Sequence, residues 1–186
     1  MKSIWQGSDS LLLVSMPKEL TLNEKYYAIK FRLFARLCDR FAVEHYANGE
    51  LVEKNLRKFG LKKPITQHQS PLKYGKLPKI EHEGFNVLFY KPKYTEFRAW
   101  IYGFDIFDTI KEWCPGVNFI EVNGNHDLSK IYPITDLLIR PNRHDGNSRM
   151  VRECQLNDIP CLYTIENPNV YWFIEKVKEY AAARNK

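Results

Sequence analysis

The stretch Ile134-Thr-Asp-Leu-Leu-Ile-Arg140-Pro-Asn-Arg-His-Asp-Gly-Asn-Ser148, continued by Arg149–Asn157 and Asp158-Ile-Pro-Cys-Leu-Tyr-Thr-Ile165, decides the fold. After Asp136, Leu137-Leu138-Ile139 is a short apolar run suited to a strand buried on both faces, and Pro141 is expected to stop it. Asp145-Gly146 supplies a tight turn, and Asn147 or Ser148 is placed to cap the next helix. Met150, Val151 and Cys154 share one side of that helix. Pro160 then opens a second apolar strand, Cys161–Ile165. Strand, helix and strand make a parallel crossover, whose first loop lies at the carboxyl end of the sheet. Helix amides there favour anions. The loop Pro141–Arg149 is therefore the expected site, with Asn142, Arg143, His144, Gly146, Asn147, Ser148 and Arg149 as ligand-binding candidates.

The pattern Asp136, Leu138-Ile139, Asp145-Gly146, Ser148 and Ile159-Pro160 resembles the last crossover of the SLOG-type Rossmann-like nucleotide-binding proteins. That group includes the Lonely Guy phosphoribohydrolases and the DNA-processing protein A domain. The likeness covers about residues 134–165. Arg143–Ser148 stands where the family has Gly-Gly-x-Gly-Thr, and Gly7-Ser8-Asp9 precedes the expected first strand, where the family's Gly-Ser-Arg follows it. The resemblance implies nucleotide binding and chemistry at an N-glycosidic bond. Glu153 is the nearest counterpart of the family's glutamate, and Asp145 is the other candidate carboxylate. The alternative for Glu153 is an ion pair with Arg149 across an exposed helix face, and for Asp145 a plain turn.

The 186 residues suit one domain, 44% of them hydrophobic. No apolar run approaches the ~20 residues of a spanning helix, and the N-terminal apolar stretch is too short for a secretory signal. No membrane partner is expected. Cys38, Cys114, Cys154 and Cys161 are scattered, as in a reducing, cytoplasmic setting. The net charge of +6 is localised: Lys54–Lys79 carries eight basic residues and no acid, leaving 20 basic against 22 acidic residues elsewhere. This stretch is either a polyanion site, using Lys62, Lys63, Lys73 and Lys76, or a solvated loop. Its only aromatics are Phe59 and Tyr74, fewer than single-strand binders interleave.

Taken in order, Ser10–Met16 reads as a first strand ended by Pro17. Thr21-Leu-Asn-Glu24 is a capping box for a helix to about Phe41, with Phe31, Phe34, Cys38 and Phe41 at helical spacing. Asn48 is a candidate cap for a helix over Glu50–Phe59, which Gly60 ends. Residues 61–82 read as an irregular lid or tether. Further strands are expected at Asn86–Tyr90 and Val117–Val122, and helices at Tyr94–Trp113, with Gly103 as a weak point, and Asn169–Ala183, burying Phe173, Ile174, Val177 and Tyr180. The sum is a single Rossmann-like α/β domain of three layers, with a mostly parallel sheet of about five strands.

Gly124-Asn-His-Asp127 resembles the Gly-Asn-His signature of calcineurin-like metallophosphoesterases. That resemblance implies Asn125 as a metal ligand and His126 near a phosphate. Phe104 stands where an upstream ligand belongs, and the companion His and Asp residues are missing. No metal or cofactor is therefore expected. The expected function is binding of a nucleotide or another phosphorylated small molecule, with or without turnover. The competing classes are a nucleic-acid-binding protein using residues 54–79, a sequestering or regulatory protein, and a phosphoesterase-like hydrolase. Self-association is left open.

Overall fold

The computed structural model describes residues 2–5, 7–16, 18, 20–91, 93, 96–164 and 166–184. Pro17, Tyr94 and Ile165, which bound three of the expected elements, lie outside them. The strands form two parallel sheets, one of three strands and one of four, rather than one sheet of about five. Chain packing groups Met1–Ser70 with His144–Asn147 as one compact unit, and Pro71–Arg143 with Ser148–Lys186 as a second.

In the first unit, β1 (Lys2–Trp5), β2 (Glu44–Ala47) and β3 (Ile65–Gln67) pair in that order, around α1 (Gly7–Val14), α2 (Leu22–Phe41) and α3 (Glu50–Phe59). The run expected as the first strand is instead α1. Four apolar residues fit either state, and leucine favours helix once Leu12 and Leu13 can be buried together. Arg32 on α2 satisfies two carbonyls at the end of this segment, those of Leu12 and Ser15, at 2.8 Å each. The capping box forms as expected: the Thr21 hydroxyl accepts from the Glu24 amide, and the Glu24 carboxylate accepts from the Thr21 amide. The buried face of α2 matches the expected one in part, since Cys38 is buried and Phe31 packs against the same core. Ala28, Ala35 and Cys38 are buried, whereas Phe34 and Phe41 are exposed. Helix α3 starts from Gly49 and ends at Gly60 in the left-handed conformation. Its N-cap is Gly49, one residue beyond the expected Asn48.

Strand β2 has no strong apolar signature because its inward residues are His45 and the small Ala47, both fully buried. The His45 Nδ1 lies 2.5 Å from the Ser3 hydroxyl and its Nε2 2.9 Å from Asp39. Asp39 also accepts the backbone amides of Lys62 and Lys63 at 3.0 Å. Burial works against the Asp39 carboxylate, but His45 and these amides outweigh it and hold its pKa below the ordinary value.

In the second unit the strand order is β5 (Asn118–Val122), β4 (Asn86–Tyr90), β6 (Leu137–Pro141) and β7 (Cys161–Thr164), all parallel. Side chains alternate between two cores. Val87, Phe89, Leu137 and Ile139 face α5 (Phe104–Trp113) and α7 (Val170–Arg184), where Phe89 and Phe107 stack at 3.8 Å. Leu88 and Leu138 face Met150, Val151 and Cys154 of α6 (Arg149–Leu156). This unit is the three-layer α/β arrangement expected for the chain. Tyr180 on α7 is exposed rather than buried. The helix expected over Tyr94–Trp113 breaks into α4 (Glu96–Ile101) and α5 at Gly103, whose φ is +68°. A Cβ there would stand 2.2 Å from the Pro141 carbonyl oxygen. Strand β6 ends at Pro141, as expected, with Pro141 itself as its last residue.

Candidate functional site

In the second unit, β4 leads to β5 on one side, while β6 lies on the other. The order therefore reverses between β4 and β6. The carboxyl ends of the strands flanking such a reversal form the crevice that open parallel sheets use for ligands. Tyr90 ends β4 there, and Arg140 stands at the end of β6. Arg140 is 7% exposed, with its guanidinium carbon 5.8 Å from the Tyr90 ring centre and 5.4 Å from that of Tyr102. Aromatic rings at this distance attract a guanidinium and help fix its position at this edge of the sheet.

Helix α6 begins at the same end of the sheet. Ser148 caps it, accepting from the Val151 amide, as expected. The first-turn amides and Arg149, half exposed, point positive charge outward from this terminus. Asn142 is buried and follows β6 directly, its carbonyl accepting from the Thr164 hydroxyl. Arg143 turns toward α5. It makes a two-pronged ion pair with Asp105 at 2.6 and 2.7 Å and donates to the Trp100 carbonyl. Arg143 also holds the Asp105 carboxyl below the ordinary range.

His144, Asp145, Gly146 and Asn147 belong to the first unit. His144 is buried with Nε2 3.3 Å from the Ser10 hydroxyl, which in turn accepts from Asn55. Asp145 accepts from the Gly146 amide, as in a turn, and Asn147 donates from its backbone to the Asn48 carbonyl. The residues of the expected loop are thus divided. Asn142, Arg143, Ser148 and Arg149 stay with the four-stranded sheet, and the middle four do not.

Glu153 is 1% exposed, not on an open helix face. Its Oε1 accepts from the Lys73 amide at 2.7 Å and the Tyr74 amide at 3.4 Å, its Oε2 accepts from the Tyr132 hydroxyl at 2.8 Å, and Arg149 lies 3.8 Å away. Burial, first, and then the Cys154 and Glu153 side chains push the Tyr132 phenol far above its usual pKa. The segment after Pro71 is fastened further along α6. Asn157 accepts from the Leu77 amide and donates to the Gly75 carbonyl, and Lys76 pairs with Asp158.

The four lysines considered for a polyanion separate in the same way. Lys62 and Lys63 sit in the first unit, Lys73 and Lys76 in the second. Around Asn125, the Asn123 side chain and His126 close a turn on themselves, and Asp127 caps a short helix through Ser129. Among the described residues, no group of three or more His, Cys, Asp or Glu residues is placed to hold a metal ion. No described helix is long and apolar enough to cross a membrane.

Sequence reasoning missed Arg140, Tyr132 and the Tyr90–Tyr102 pair. Arg140 was readable as the one charge in an otherwise apolar strand, a placement that demands a partner.

The fold is α/β with parallel sheets of Rossmann-like character. A chain in the crystal structure of the GtfA/B complex shares it, with a TM-score of 0.55 and 13% identity over 81% of this chain and 41% of that one. The present chain thus spans less than half of that chain's length, and the likeness concerns the fold. No family model matches the sequence, and neither does any curated protein.

Proposed function

We propose that the chain binds the phosphate groups of a nucleotide, free or joined to a sugar, at the carboxyl ends of β4 and β6, and acts at a glycosidic bond of that ligand. The observation that carries this reading is Arg140, a buried guanidinium packed against Tyr90 and Tyr102 where the strand order reverses. A buried cation at that position suits an anionic ligand, and the amino end of α6 adds positive potential at the same edge. Glu153 is the carboxylate of this proposal. It would meet ligand hydroxyls by exchanging the Lys73 and Tyr74 amides that it now accepts from. Parallel strands and a helix terminus are shared by many phosphate binders, so the reaction class rests on the Glu153 carboxylate.

The test is a thermal-shift series over nucleosides, nucleoside mono- and diphosphates and sugar nucleotides, followed by chromatography of incubated hits. Stabilisation that requires the phosphates, with a new product peak, is expected. Stabilisation without a product would make the chain a sequestering protein. Equal response to nucleosides lacking phosphate would refute the anion site.

A further inference from the structure

Helix α2 of the first unit is 20 residues long and buries only Ala28, Ala35 and Cys38. On the opposite side Leu22, Tyr26, Ile29, Leu33 and Leu37 recur at helical spacing, each more than half exposed. Tyr27, Phe34 and Phe41 are also exposed and widen this apolar surface to roughly 160° of the helix at about 100° per residue. Cations are interleaved with it: Lys30 lies over the Tyr26 ring at 4.3 Å, Arg40 beside Phe41 at 5.8 Å, and Arg36 beside Phe59 at 5.6 Å. Both acids of the helix are engaged, Glu24 by the capping box and Asp39 by His45 and two amides. Alongside runs a groove of about 450 Å³, lined by Leu13, Ile29, Leu33, Phe59, Arg36 and Lys58 among others.

We infer that this face docks on an anionic phospholipid surface, the helix lying in the plane of the interface. A broad apolar face with Lys and Arg along it is the composition of interfacial helices. The long cationic side chains can rest on the aromatic rings while their heads reach lipid phosphates. A second copy of the chain fits poorly, because two such faces would bring like charges together. A single partner helix needs a narrower seam than this one.

The test is flotation of the full chain with vesicles of phosphatidylcholine alone and of equal parts phosphatidylcholine and phosphatidylglycerol. Partitioning should be at least about tenfold stronger on the anionic vesicles and should weaken with added salt. Ile29→Ser with Leu33→Ser, both solvent-facing and so compatible with folding, should abolish it, with circular dichroism unchanged. Arg36→Gln with Arg40→Gln should remove the preference for anionic lipid. Absence of binding to anionic vesicles would overturn the inference, as would undiminished binding by the folded serine variant. Binding of an acidic amphipathic peptide without vesicle binding would also overturn it, and would give the face to a protein partner.

Discussion

The Tyr132 hydroxyl donates a 2.8 Å hydrogen bond to Glu153, and both residues are 1% exposed. The other carboxylate oxygen holds the backbone of Lys73 and Tyr74, so one buried acid ties α6 to the segment beginning at Pro71. Tyr132→Phe leaves a buried carboxylate oxygen without its donor and should cost about 1–3 kcal/mol in urea unfolding. Glu153→Ala should act more locally as well, by exposing the Lys73 and Tyr74 amides to exchange. Unchanged hydrogen-exchange protection at those two amides in Glu153→Ala would show that the acid does not hold the segment.

Gly103 and Gly116 separate a conformational cost from a steric one. Both have positive φ, +68° and +86°, but only Gly103 faces an obstacle, the Pro141 carbonyl. Gly116→Ala should cost about 1 kcal/mol, the ordinary penalty for a left-handed alanine. Gly103→Ala must also move the end of β6 and should cost at least about 3 kcal/mol. Equal losses in the two variants would mean that the α4–α5 corner can shift away from β6.

The Asp39 carboxylate is held below its ordinary pKa, by His45 and by the amides of Lys62 and Lys63. A depressed folded-state pKa contributes stability above the unfolded value of about 3.9, and that contribution fades as pH falls through the folded value. Asp39→Asn should therefore destabilise the chain at neutral pH and approach the wild type in acid. Denaturant midpoints across that range would test this. A deficit independent of pH would assign the effect to lost hydrogen bonds rather than to charge.

The second unit was legible because its central strands, β4 and β6, are buried on both faces, and short apolar runs such as Leu137-Leu138-Ile139 bounded by turn residues mark them. Ser148 as a cap and the capping box at Thr21 were legible for a similar reason, since each feature is local. The first unit was not. Strand β2 is recognisable only when Ser3 and Asp39 are known to satisfy His45; Ser3 lies on another strand far away in sequence, and Asp39, although six residues off, belongs to α2. The loop after β6 reads as one continuous site, but four of its residues pack with the first unit, a division that no local pattern records. Glu153 was named for its spacing, whereas its burial depends on Tyr132 and on the backbone after Pro71.

Arg140 offers the sharpest test of the proposed site. The residue is buried in a strand whose neighbours are apolar, and its guanidinium is packed against two tyrosine rings. Lysine would keep the charge but lose the planar, forked donor set and the stacking. If Arg140 grips phosphate, Arg140→Lys should weaken nucleoside diphosphate binding by about tenfold or more, equivalent to at least about 1.4 kcal/mol. Arg140→Met, close in length and uncharged, should abolish it. Because Met also removes a buried charge, the ligand-free melting temperature must be measured beside the affinity. A folded Arg140→Met variant that binds a diphosphate as tightly as the wild type would exclude this end of the sheet. Loss of binding with an unchanged melting temperature would identify Arg140 as a ligand-binding residue rather than a structural one.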